Sequence, residues 1–109
     1  MILRFPTTAS GFEKIGRLDL LIEKARKLKK EVENVIKEVK DIPEIEVEIE
    51  GFKGRLDRFE KICINLFNEI LEGVPLHSTT ISGLEETFNL LSQQWKELIN
   101  KYRLGIIYL

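Results

Sequence analysis

The chain has few of the residues that build metal centres and disulfides: its 109 residues include one cysteine, one histidine and one methionine. One cysteine cannot form an internal disulfide, and His77 has no second ligand at the spacing of a zinc site. We therefore predict no metal, no cofactor and a reducing, cytoplasmic location. Cys63 falls among apolar residues at helical spacing, so we interpret it as a small core side chain.

A strong charge of one sign and a long apolar run are also missing. The formal net charge is -1, which removes the overall electrostatic attraction of a protein that coats nucleic acid. No apolar run approaches the about 20 residues that span a membrane, so we expect no membrane partner. Residues 1–6 are too short for a signal peptide. Charged residues make up 32% of the chain, mostly Glu and Lys, a composition typical of thermophilic proteins.

The chain does have an apolar repeat at alternating steps of three and four residues, which we call the seam. Such a repeat indicates amphipathic helices that pack along their whole length. It occurs three times. The first seam is Ile15, Leu18, Ile22, Ala25, Lys29, Val32, Ile36 and Val39. The second is Ile42, Ile45, Ile49, Phe52, Leu56, Phe59, Cys63, Leu66 and Ile70. The third is Ile81, Leu84, Phe88, Leu91, Trp95, Leu98 and Tyr102.

Helix signals divide the chain into three helices. At each of the three predicted helix starts a Ser or Asp residue is followed by Glu three positions on, the pattern of a capping box: Ser10 with Glu13, Asp41 with Glu44, and Ser82 with Glu85. Pro43 suits a first helical turn, and Gly73 followed by Pro75 suits a helix end. We predict helices from Ser10 to about Lys40, from Pro43 to about Glu72, and from Ser82 to about Arg103.

The predicted fold is therefore all-α: an up-down-up three-helix bundle with coiled-coil-like heptad packing, in a single domain over residues 1–109. Residues 1–9 form an extended lead-in and residues 105–109 an apolar tail. One segment has a second interpretation. In residues 44–50 isoleucine and valine alternate with glutamate, which also fits a short strand ending at Gly51. We favour helix because the seam continues through the segment in phase.

Two sets of residues are candidate binding sites. Two threonines, a spacer, serine, glycine, an apolar residue and glutamate occur at both the first and the third predicted helix start. Adjacent helix N-termini present unpaired amides to an anion, although coincident caps explain the same pattern. The candidate anion-binding residues are Thr8, Ser10, Gly11, Thr80, Ser82 and Gly83. The alternative site is a basic waist on the first two helices, formed by Lys24, Arg26, Lys27, Lys30, Arg55, Arg58 and Lys61.

No catalytic motif is present, and we predict no catalytic residue. Lys29, the one charged residue within a seam, suits a role in fixing helix register. The third helix, at about 22 residues or about 33 Å, would leave part of the other two seams uncovered near the hairpin tip. We therefore expect a non-enzymatic helical association module.

The expected partner is a larger protein complex or a second copy, with a dimer joined through the hairpin tip or the tail. The alternatives are a weak nucleic-acid or anionic-partner binder using the basic waist, and a small helical enzyme. The enzyme would use Arg17, Arg26, Arg55, Arg58 and Gln93 to clamp a dicarboxylate.

Overall fold

The computed structural model describes residues 9–104, with side chains described from Phe12 onward. Three helices follow one another: α1 (Ala9–Glu38), α2 (Pro43–Leu71) and α3 (Ser78–Tyr102). They form a slender up-down-up bundle measuring 57 × 21 × 19 Å. The predicted all-α fold is confirmed. Residues 44–50 are helical, and no strand occurs between residues 9 and 104.

The three seams meet in a core of two buried clusters, and the half-buried side chains of Phe67 and Leu84 pack against both. Leu18, Ala25, Ile49, Leu56 and Ile81 have no exposed surface. Two aromatic pairs join α2 to α3: the ring centroids of Phe52 and Trp95 are 5.3 Å apart, and those of Phe59 and Phe88 are 5.8 Å apart. The contact between α1 and α2 is the most extensive of the three, and large side chains fill the space between this hairpin and α3.

The end of α2 follows the predicted signal. Gly73 has a φ of 89°, in the left-handed region. Its amide donates to the Ile70 carbonyl, and the Val74 amide donates to the Glu69 carbonyl, the two bonds of a Schellman motif. Glycine is needed here because a Cβ disfavours this backbone conformation. The α3 helix ends in the same way with Arg103, whose φ is 52°.

Two predicted helix caps are wrong. The α3 helix begins at Ser78 rather than Ser82, with His77 as its N-cap residue and no side-chain cap bond. The extra turn brings Ile81 into the helix, where it packs fully buried with Leu18 and Ile70. At the α2 start the N-cap residue is Ile42 rather than Asp41, again without a side-chain cap bond. Pro43 occupies the first turn as predicted.

The hairpin tip is better covered than the sequence suggested. Val39 and Ile49 are buried, and Leu104 packs against the core just beyond α3. Of the second seam, Ile42 is exposed and Ile45 is half-buried. The expected uncovered stretch is therefore short, because the end of α3 reaches almost to the tip. The lead-in through Thr8 and the tail over residues 105–109 lie outside the described residues.

Candidate functional site

The predicted anion-binding residues do not lie at two matching helix starts. Thr80, Ser82 and Gly83 are within α3, on its exposed surface. The amide of Thr80 already donates to the His77 carbonyl. Ser10 and Gly11 lie in the first turn of α1, and Thr8 precedes the described residues. The free amides at the start of α3 therefore belong to a different turn from the one predicted, and anion binding at these residues stays a prediction.

The serine and glutamate expected to cap α3 bind α1 instead. Arg17 Nη2 lies 2.6 Å from Glu85 Oε1, its Nε donates to Glu85 Oε2 at 3.2 Å, and Nη2 also donates to Ser82 Oγ at 3.2 Å. The hydrogen bond and the positive charge of Arg17 lower the pKa of Glu85, and Glu85 raises the pKa of Arg17. This cluster holds two parallel helices together.

The basic waist is spread around the bundle. Arg26 faces α2, with its Nε 2.8 Å from Glu60 Oε2. Lys24 lies in the groove between α1 and α3, beside Glu85, and Arg55 lies in the groove between α2 and α3. Lys27, Lys30, Arg58 and Lys61 are exposed. The seven residues thus surround the middle of the bundle and share no single face.

Lys29 lies in the α1–α2 groove at the edge of the seam, with 32% of its side chain exposed. Its Nζ is 2.9 Å from Asp57 Oδ1 and 3.6 Å from Glu60 Oε1. The hydrogen bond to Asp57 raises the pKa of Lys29, and the charge of Glu60 adds to the effect. The lysine therefore contributes a directed pair to one place along α2, as a register role requires.

The five residues proposed for a dicarboxylate clamp do not share one cleft, although Arg58 lines the groove in which Arg26 pairs with Glu60. Arg17, Arg26 and Arg55 lie in three different grooves, and the first two are paired with carboxylates. Between residues 9 and 104 no three His, Cys, Asp or Glu side chains are placed to hold a metal ion. Burial raises the pKa of the Cys63 thiol to about 11, so this side chain is protonated at neutral pH.

Large apolar side chains on the outer helix faces are the feature that the seams did not predict. Among them Val47 is 73% exposed, Phe12 61%, Leu90 60% and Ile62 49%. Leu20, Ile42 and Val74 are also exposed. Leu20, Val47, Ile62 and Leu90 have a simple sequence signal, because each is an apolar residue at an otherwise polar position between seam residues.

Two of these side chains, Ile62 of α2 and Leu90 of α3, lie along the groove between the two helices. This groove is lined near the tip by Arg55 and Glu48 of α2 and by Glu97 and Gln94 of α3. Residues seven apart lie on the same helix face, so Ile62 and Glu69 continue the line of Arg55, and Leu90 and Gly83 continue that of Glu97. We call the surface formed by Arg55, Ile62, Glu69, Gly83 and Leu90 the α2–α3 face.

Three exposed glycines lie within the helices without a structural requirement. A Cβ added to Gly16, Gly51 or Gly83 would meet nothing within 4 Å, and none of the three has a positive φ. Glycine within a helix costs about 0.5–1 kcal/mol relative to alanine. Gly83 shares the α2–α3 face with Leu90, so a bare patch of backbone lies about two helical turns from an exposed apolar side chain.

No helix among the described residues is long and apolar enough to cross a membrane. No protein-family model matches the chain, and neither the curated proteins nor the solved structures include one detectably similar to it. The geometry of the bundle is therefore the basis for a functional assignment.

Proposed function

We propose that this chain is a non-enzymatic helical association module, which joins a second copy or a larger protein complex through its outer helix faces. The exposure of Phe12, Val47, Ile62 and Leu90 carries the proposal. Burying a side chain of this kind contributes about 1.5–3 kcal/mol, and the bundle closes its own core without them. A partner surface would bury them. The single buried cysteine agrees with a reducing cytoplasm as the compartment.

The surface charges favour association over nucleic-acid binding. In the α1–α2 groove Arg26 and Lys29 are already paired with Glu60 and Asp57. Arg58 and Lys61 line the same groove, where these two carboxylates interrupt the positive charge. Lys24 and Arg55 lie in the other two grooves, so the waist offers no continuous track for a phosphate backbone. A protein interface typically has apolar side chains at its centre and polar or charged residues at its rim, and the outer faces of this bundle have that composition.

The test combines sedimentation equilibrium with experiments in which the purified chain is used to capture protein partners. Mass is measured from about 1 to about 500 µM, a range that detects dissociation constants in the micromolar region. Capture compares wild type with two double variants, I62D/L90D and F12D/L20D, each checked by circular dichroism for unchanged helix content.

Self-association, or a stoichiometric protein partner lost by one double variant and kept by the other, supports the proposal. A wild-type chain that stays monomeric and retains no partner overturns it. Binding to nucleic acid that falls steeply with salt would favour the basic waist instead.

A further inference from the structure

We propose that the α2–α3 face pairs two copies of this chain, with the helices of one copy antiparallel to those of the other and a two-fold axis at Ile62. This inference rests on the proposed association function and names both the surface and the partner. It is carried by the order of charged, apolar and small residues along the face.

The first argument is charge complementarity along α2. Arg55, Ile62 and Glu69 follow one another at steps of seven, with the apolar residue midway between opposite charges. A two-fold axis perpendicular to the helices at Ile62 places Arg55 of each copy opposite Glu69 of the other. The two isoleucines meet at the centre, flanked by two ion pairs, and no salt bridge within the described part of the chain occupies Arg55 or Glu69.

The second argument comes independently from α3. The ring pairs Phe52–Trp95 and Phe59–Phe88, with the Glu48–Lys101 ion pair at 3.1 Å, fix which residues of α2 and α3 lie side by side. They place Ile62 level with residues 85–87. An axis at that level brings Leu90 of one copy opposite Gly83 of the other.

Leu90 is 60% exposed, and the space in front of Gly83 is open, so a projecting side chain faces a bare backbone on both sides of the axis. Like charges of α2 stay apart in this arrangement, because Arg58 falls opposite Leu66 and Asn65. One choice of axis therefore satisfies the charges of α2 and the shapes of α3 together. A parallel pairing of the same faces would separate Arg55 from the partner's Glu69 by the length of two heptads.

The experiment measures dimerisation of the full chain by sedimentation velocity. Arg55→Glu and Glu69→Arg each place like charges opposite one another, so each variant alone should dimerise about tenfold more weakly than wild type or worse. An equimolar mixture of the two variants should recover a dimer of wild-type affinity, because one copy then carries two acidic and the other two basic residues. Gly83→Leu should also weaken the dimer while leaving the helix content unchanged.

The control pair is Lys27→Glu and Glu23→Arg, on the outer face of α1, which should leave dimerisation unchanged. Weakening by each single variant with recovery in the mixture supports the proposed surface. A monomeric wild type, or a dimer insensitive to these charges, overturns it. If the wild type is monomeric but binds a different protein that I62D/L90D loses, the association function stands and the homodimer fails.

Discussion

Replacing glycine by alanine should change the stability in opposite directions at the exposed glycines within the helices and at the glycine that ends α2. Gly16→Ala should raise the free energy of unfolding by about 0.5–1 kcal/mol, because alanine favours the helix and its Cβ meets open space. Gly73→Ala should lower it by about 1 kcal/mol or more, because Gly73 has a φ of 89°. Urea denaturation of both variants checks the pair. A loss of stability in Gly16→Ala would show that this position has a constraint absent from the helix itself.

Lys29 tests whether a directed ion pair or an apolar contact stabilises more at the edge of the seam. Lys29→Leu should raise the free energy of unfolding by up to about 1 kcal/mol, since exposed pairs contribute little and leucine would extend the buried surface. Glu60 keeps Arg26 as a partner. Asp57 Oδ1 is buried beneath Lys29, but the Asp57 side chain is 43% exposed and can turn this oxygen toward water in the variant. Lys27→Leu, on the outer face, is the control and should bring no gain. Reduced stability of Lys29→Leu would mean that its two carboxylates are costly to leave unpaired.

At the scale of helices, the pairing of α1 with α3 should depend on pH through Glu85. Its pKa is lowered by Arg17 from the ordinary value of 4.5, so its contribution is complete above that value and is lost as the pH falls through the lowered pKa. Glu85→Gln should therefore reduce stability at neutral pH and flatten the acid side of the stability curve.

The measurement is thermal unfolding of both proteins from about pH 7 to about pH 3, a range that covers the titration of carboxyl groups. Glu86→Gln, which alters an exposed neighbour, is the matched control. Identical acid slopes for wild type and Glu85→Gln would show that the Arg17–Glu85 pair contributes nothing to folding.

How far the sequence predicts each element depends on which force decides its boundaries. The seam determines α2, because its residues from Ile49 to Ile70 are buried, apart from the half-buried Leu66, and this burial outweighs the strand propensity of residues 44–50. The start of α3 was mispredicted because Ser82 and Glu85 form a local capping pattern. Burial of Ile81 extends the helix, and Arg17, 65 residues away from Ser82 in the chain, takes both polar groups. A partner so distant in sequence leaves no local signal.

The same reasoning separates what could be foreseen of the candidate site. Heptad spacing identifies the core side and therefore also the outward positions that should be polar. Ile62 and Leu90 at such positions could have been identified from the sequence. Their shared groove could not, because it depends on how the aromatic pairs between α2 and α3 align the two helices.

At the scale of the whole molecule, Cys63 should report cooperative opening of the bundle. The thiol is fully buried and its pKa is about 11, so a thiol reagent at neutral pH should label it only when the core opens. Mass spectrometry of a Lys27→Cys variant would follow one fast and one slow site in a single chain, because residue 27 is exposed on the outer face of α1. Rapid labelling of both would mean that α2 separates from its neighbours without global unfolding.

Side-chain hydrogen bonds and ion pairs join every pair of helices, and together they favour one handedness of the bundle. The same three seams could close with α3 on either side of the α1–α2 hairpin, and both mirror arrangements would bury the seam residues. The flanks of α1 differ, however: Arg17 and Glu31 bind Glu85 and the indole of Trp95 on α3, whereas Arg26 binds Glu60 on α2. In the mirror closure Trp95 would lose its acceptor and each arginine would face the wrong helix. The flanking charges therefore distinguish left from right together with Leu21 and Val35, which are buried on the side of α1 that faces α3 and would be exposed in the mirror closure.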